Sequence, residues 1–216
     1  MNNVFKVQAG YCDREAMAVL THPNYTYERR EEADRIPIGD VPFCEGVLQS
    51  QGIAIQKPDF YPSWLKHWRL RSIVYGPEGS WFTPSRHTWF VKSTDSYKSV
   101  DPFILKSGEN LPSGNWVLSE VVNFVQEWRY YVSNGVVVTT GWYTGHDEDE
   151  PAPELAIRWP VNFCGAVDFG RLDDGEIALV ESHHPYACGH YSDNHKLYAK
   201  WVVDGFYYMK KNFSEK

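Results

Sequence analysis

The sequence predicts an α+β protein: a short N-terminal α/β piece leads into a strand-rich region that ends in a helix. Three observations predict it. Before about residue 60 the apolar runs are short and are punctuated by helix-start signals, Pro and Gly. From Arg71 onward they have strand length and are separated by turn residues, as at Ser133-Asn134-Gly135 and Asp173-Asp174-Gly175. After Asp193 the spacing of Leu197, Trp201, Val202, Tyr208 and Met209 fits one face of a helix. The 216 residues suffice for one large domain or two small ones with a sizeable core. We divide the chain into an N-terminal region, 1–70, and a main region, 71–216.

Each element has its own signal. A first helix is expected over 13–20, capped by Asp13. The turn-rich stretch from Ile36 to Pro42 approaches a second helix near 43–51. Pro58 and Pro62 break the chain, and Ser63 caps a third helix to about Arg69. Strands are expected at 72–75 and 88–92, then a meander at 116–122, 124–133 and 136–143. Residues 146–150 read as a solvated, mobile acidic loop, and 154–158 as a helical turn. A hairpin spans 166–181. Asp193 opens the last helix, whose end at Lys210-Lys211 suits the negative end of the helix dipole.

Composition narrows the function. A net charge of −7 gives no global basic footprint for nucleic acid. Nine Trp, fourteen Tyr and eleven Phe point to a β-rich core more readily than to a sugar or nucleobase surface. The first residues carry no signal-peptide core, and no apolar run approaches the ~20 residues that span a bilayer. Cys12, Cys44, Cys164 and Cys188 are widely spaced and form no Cys-x-x-Cys pair, so a reduced, cytoplasmic protein is expected.

The hairpin carries the strongest chemical signal. Asp168 lies on its incoming strand and Glu181 at the end of its outgoing one, where antiparallel pairing can set them side by side. His183 shares the face of Glu181 by strand alternation. Two carboxylates and a third ligand suit a hard cation such as Mg²⁺, commonly held with nucleotide phosphates; the plain alternative is a surface hairpin with solvated acids. Lys92 ends an apolar strand and Lys98 follows across a polar loop. Together they can hold phosphates as point charges, or be ordinary surface lysines. Ser119 and Glu120 interrupt the strand from Trp116 to Val122, which can present backbone to an adenine edge or be half-exposed. Glu127 and Arg129 share a face, so they pair with each other, or Arg129 clamps a phosphate or carboxylate bidentately. His183, His184, Cys188 and His190 are possible zinc ligands, but without zinc-finger spacing. A nucleophilic pair of Cys188 with His183 or His190 lacks any flanking signature.

The order of these segments resembles the nucleotide-binding core of ATP-grasp enzymes. A lysine strand comes first (Lys92), then a hinge strand (Ser119-Glu120-Val121-Val122), an arginine strand (Arg129) and a late strand pair with metal ligands (Asp168, Glu181, His183). The closer resemblance is to a small ATP-grasp clade named for an arginine and two lysines. It rests on Ile36-Pro-Ile-Gly39, Tyr61-Pro62 with Leu65, Arg69 or Arg71, Lys92 with Lys98, Ser-Glu-Val-Val and Glu127-Trp-Arg129, and it covers about residues 35–195.

The resemblance implies an ATP-grasp fold, with two α/β lobes whose antiparallel sheets grip ATP, preceded by the short N-terminal piece. It implies an ATP-dependent carboxylate–amine ligase that forms an amide or peptide bond through an acylphosphate and releases ADP and phosphate. Lys92, Lys98, Ser119, Glu120, Val121, Val122 and Glu127 would contact ATP. Asp168, Glu181 and His183 would hold Mg²⁺ or Mn²⁺. Arg129 and Lys98 would stabilise the transferring phosphoryl group. The acyl and amine partners are unidentified; an amino acid, a peptide or a protein are the classes considered, with His183, His184, Tyr186, His190 and Tyr191 expected on the acceptor side. His183 departs from the usual Asn, and an imidazole suits Mg²⁺ less well than a carbonyl oxygen does. That leaves open a Mn²⁺ site, a non-ligating His183 or a weakly held second metal. The alternatives are a degenerate ATP-binding protein, an aromatic-rich β-type binding module, and a zinc hydrolase built on His183, His184, Cys188 and His190.

Overall fold

A computed structural model describes residues 4–11, 14–20, 34–76, 88–95 and 100–214. The N-terminal piece comprises β1 (Val4–Val7), α1 (Arg14–Leu20), β2 (Arg35–Ile38) and α2 (Val41–Gln49). Strands β1 and β2 pair in parallel, Val4 opposite Arg35 and Val7 opposite Ile38. Part of the expected turn at 36–42 is therefore a strand. Ile36 and Ile38 are buried and hold it in the core, while Pro37 is tolerated because a two-stranded sheet is all edge. Helix α2 starts two residues before its expected position, because the Asp40 carboxylate accepts from the Phe43 N–H at 2.9 Å and Pro follows at the first turn. The Asp13 cap lies outside the described residues, as does Lys98.

The last helix, α3 (His195–Phe213), returns to this piece. It packs on α1, and its Trp201, Phe206 and Met209 share one core with Phe5, Ile36, Ile38 and Leu48. The Ala54 N–H donates to the Phe213 carbonyl at 2.9 Å and ties the two ends of this core together. Its cap is Asn194 rather than Asp193: the Asn194 side chain accepts from the Leu197 N–H at 3.0 Å. Lys210 and Lys211 lie in its last turn, as expected.

Between these parts lie two four-stranded sheets. The first contains β3 (Ile73–Gly76), β4 (Trp89–Ser93), β5 (Phe103–Leu105) and β6 (Trp116–Glu120) in the order β3-β6-β4-β5. The second contains β7 (Phe124–Ser133), β8 (Val136–Gly145), β9 (Gly165–Leu172) and β10 (Ile177–His183) in the order β10-β9-β7-β8. All neighbours within both sheets run antiparallel. Residues 121–123 are the short link from one sheet to the other, and β5 is a strand the sequence reading missed. The β7–β8 turn has left-handed residues at Asn134 (φ 49°) and Gly135 (φ 72°), the pattern of a tight hairpin.

Two local expectations fail for identifiable reasons. Residues 63–68 form a 3-10 helix, not an α-helix, and Pro62 rather than Ser63 precedes it without a side-chain cap bond. Residues 151–160 contain no helical turn: Pro151, Pro153 and Pro160 disfavour one, and Leu155, Ile157 and Trp159 pack instead on the core beneath the second sheet. The acidic loop is solvated, as expected, and is also tethered at its ends. Glu150 pairs with both ends of the Arg171 guanidinium (2.9 and 2.5 Å), and the His146 N–H donates to the Gln126 side chain at 2.9 Å.

The segment leading into α3 buries His190, which stacks on Tyr198 at 4.1 Å and is hydrogen-bonded to His195 across 2.8 Å. Burial, then the neighbouring His195 and Arg14, push its pKa down to about 4. The unfolded chain therefore takes up this proton first. The stability that neutral His190 contributes is complete above pH ~6.5 and is lost as the pH falls towards 4. We expect urea midpoints of wild type to fall between pH 6.5 and 4.5, and His190→Gln to flatten that dependence. A variant with an unchanged slope would refute the assignment.

Candidate active site

The site is built on the face shared by β7, β9 and β10. Its decisive feature is a β-bulge. Strand β10 starts in register with β9, Ile177 opposite Arg171 and Leu179 opposite Phe169, and then slips so that Glu181, not Val180, faces Asp168. Without the slip, Glu181 would point to the other side of the sheet. With it, Arg129, Asp168 and Glu181 stand side by side on three adjacent strands, and His183 follows on the same face. Asp168, Glu181 and His183 each bring one ligand atom within 4.8 Å of the others.

The charges there are closely matched. The Arg129 Nε and Nη2 donate to the two oxygens of Asp168 at 2.8 and 2.6 Å, and both side chains are almost fully buried. The His183 Nε2 lies 2.9 Å from Glu181 Oε1 and 3.9 Å from Asp168 Oδ2. Lys92 reaches across from β4, in the other sheet, and its Nζ bonds Glu181 Oε2. Burial alone pushes the Glu181 carboxyl up, but His183 and Lys92 outweigh it and hold the carboxyl well below its ordinary range. Burial pushes Lys92 down, and Glu181 more than restores it; Asp168 does the same for Arg129. Lys92 and Arg129 offset the burial of Glu127 only in part. Burial, then the charges of Asp168 and Glu181, push it up to about 7.

This donor set fits a divalent cation. It offers two carboxylates and an imidazole on one face, and Glu181 stays ionised over the physiological range. The nitrogen donor favours Mn²⁺ more than Mg²⁺. A cavity of about 340 Å³ opens on the face, with Lys92, Arg129, Glu181 and His183 in its wall. Phe60, Tyr143, Tyr186 and Tyr191 complete its aromatic side. Tyr143 and Tyr191 flank the Arg129 guanidinium at 5.0 and 5.1 Å, and Lys92 sits 5.0 Å from the Phe60 ring.

The expected site residues do not all gather. Lys92, Arg129, Glu181, His183, Tyr186 and Tyr191 line the cavity, and Asp168 lies beneath Arg129. The hinge is outside the cavity wall. Ser119 is buried, facing Ile73 and Phe90; Val121 is exposed. The Glu120 carboxylate accepts from the Ser72 N–H at 3.2 Å, and the Glu120 N–H donates to the Ser72 carbonyl at 2.9 Å. Arg129 does not pair with Glu127: the cross-strand partner Asp168 offers two oxygens in bidentate geometry, which takes the guanidinium. The zinc reading also fails to assemble. His184 bonds the Lys57 carbonyl, the Cys188 thiol donates to the His184 carbonyl, and His190 meets His195. Among the described residues, the group able to hold a metal is Asp168, Glu181 and His183. Phe60 and Tyr143 were missed: one sits in a loop and the other lies near the end of β8, with no local signal beyond aromatic character.

Over residues 69–201 the sequence matches an ATP-grasp domain family, the second family of the clade named for an arginine and two lysines. The chain belongs to this family. Among solved structures, it is similar to D-cycloserine synthetase DcsG, with a TM-score of 0.52 and 15% identity over 94% of this chain and 99% of that one. It is also similar to D-alanine–D-alanine ligase from Bacillus anthracis complexed with ATP, with a TM-score of 0.50 and 11% identity over 97% and 98% of the two chains. At these identities the likeness shows the ATP-grasp fold. The comparison with curated proteins gave no match. Among the described residues no helix is long and apolar enough to cross a membrane.

Arg129→Met strands a buried carboxylate, a change that costs about 3–5 kcal/mol when one partner of a buried pair is removed. Urea denaturation of Arg129→Met, Asp168→Asn and the double variant checks this. The double variant should recover part of the loss, and strictly additive losses would show that the two side chains do not act as a pair.

Proposed function

We propose that the protein is an ATP-dependent ligase that joins a carboxylate to an amine through an acylphosphate, releasing ADP and phosphate. The observation that carries this is the arrangement of Lys92, Arg129, Asp168, Glu181 and His183 around one cavity between two antiparallel sheets. Phosphoryl transfer needs charge neutralisation and positioning more than a protein nucleophile, and this site supplies the charges and the positioning. Lys92 would meet the polyphosphate as a point charge, with Lys98 as its companion and Glu127 and residues 119–122 on the nucleotide side. Arg129 has Nε and Nη2 committed to Asp168, so Nη1 is the edge left for oxygens of the transferring phosphoryl group or the acylphosphate. A divalent cation held by Asp168, Glu181 and His183 would neutralise phosphate charge there. The membership of an ATP-grasp family and a fold shared with an ATP-complexed ligase support the nucleotide assignment.

The same reading takes residues 71–216 as the nucleotide-binding and catalytic region and residues 1–70 as the piece that precedes it, in a cytoplasmic protein. Val41 of the N-terminal piece and the aromatic wall at Tyr143, Tyr186 and Tyr191 would face the acyl or amine substrate, an amino acid, a peptide or a protein. One observation favours a second reading, a protein that binds ATP without turning it over. Glu181 is engaged by both Lys92 and His183, and an imidazole stands where a carbonyl ligand is usual.

Calorimetric titration of ATP with Mg²⁺ and with Mn²⁺ separates these readings from no nucleotide site at all. Binding should depend on metal and be lost in Lys92→Ala. ADP release from carboxylate and amine mixtures should follow in wild type and fall roughly 10³-fold in Asp168→Asn. Binding without release identifies the second reading, and no binding with either metal sinks both.

A further inference from the structure

The metal face depends on one irregularity, the bulge that places Glu181 opposite Asp168. A bulge is costly where it leaves backbone groups unpaired, and among the described residues β10 is the outer strand of its sheet. In a regular strand, successive carbonyls face opposite edges. Here the carbonyls of Leu179 and Val180 both accept from one side chain, Arg71: Nη1 donates to Leu179 at 2.5 Å and Nη2 to Val180 at 3.0 Å. These are charge-assisted bonds from a rigid fork. The fork is itself fixed, because Nη1 also donates to the Arg69 carbonyl at 3.1 Å and the guanidinium lies between the rings of Tyr61 and Phe124 at 5.3 and 5.4 Å.

We propose that Arg71 is a positioning residue that holds β10 in its bulged register and so keeps Glu181 and His183 on the metal face. Arg71 touches neither the cavity nor the carboxylates. It acts through the backbone just before Glu181. The unbulged alternative would set Val180 against Asp168, turn Glu181 away and leave Lys92 without its carboxylate. Its neighbour Ser72 exchanges two hydrogen bonds with Glu120, so adjacent residues brace the link between the sheets and the metal strand. The inference rests on the proposed metal site, and its test distinguishes the two.

Mn²⁺ is titrated with ATP into the full chain and followed by water-proton relaxation enhancement, which reports metal held on the protein. Thermal melts and circular dichroism run beside it. Arg71→Gln should weaken Mn²⁺ at least tenfold. Arg71→Lys, with a single ammonium in place of the fork, should fall between it and wild type. Arg69→Gln is the structural control. Arg69 bonds the Tyr61 carbonyl at 2.5 Å rather than the bulge, so this variant should hold Mn²⁺ within twofold of wild type even if its melting temperature drops. A folded Arg71→Gln within twofold of wild type overturns the inference, as does an Arg69→Gln equally weakened. If Arg71→Gln does not fold, Arg71→Lys decides, and wild-type affinity there overturns it. No enhancement in wild type overturns the metal site itself, and the inference with it.

Discussion

The structure depends on burying two carboxylates on one sheet face. Neither Asp168 nor Glu181 can leave water alone, since an unpaired buried charge costs several kcal/mol. Each is matched by a cation from a different direction. Arg129 comes from the neighbouring strand of the same sheet, and Lys92 from the opposite sheet. The first pair is internal to one sheet and fixes its face. The second spans the gap between the sheets, so the closeness of those sheets and the ionisation of Glu181 are one property. The aromatic wall follows from the same requirement. Phe60, Tyr143 and Tyr191 lower the local polarity, strengthen both pairs and give the cationic groups ring faces to rest against.

The rest of the fold serves to hold that face in place. The N-terminal piece and the last helix, far apart in sequence, share a core, so the C-terminal end of the chain closes back on its beginning. The segment before α3 carries Tyr186 and Tyr191 into the cavity wall and anchors itself through Tyr131, whose hydroxyl accepts from the Tyr191 N–H at 2.9 Å. Gly141 on β8 lets that segment lie close: a Cβ there would collide with the backbone of Tyr191 and Ser192.

Much of this was legible in the sequence. The meander, the carboxylate hairpin and the last helix follow from periodicity and turn residues. The order of Lys92, the hinge, Arg129 and the Asp–Glu pair carried the family. What stayed hidden depends on contacts distant in sequence. The partner of Arg129 could not be chosen between Glu127, two residues away, and Asp168, on another strand, without the register. The bulge at Val180 leaves no trace in local composition, and the forked bond that covers it comes from Arg71, more than a hundred residues earlier. Strand β2 was obscured by its proline, and the segment 151–160 by an apolar pattern that burial, not helix formation, explains.

The bond between Lys92 and Glu181 works as a latch between two sheets joined by only three residues, 121–123. A phosphate arriving at Lys92 would compete for the ammonium with the carboxylate that holds it. With the lysine turned to the newcomer, Glu181 would lack a counterion and favour another positive charge. A nucleotide and a divalent ion entering this cleft would thus each make room for the other, and an empty cleft would stay fastened by its own side chains.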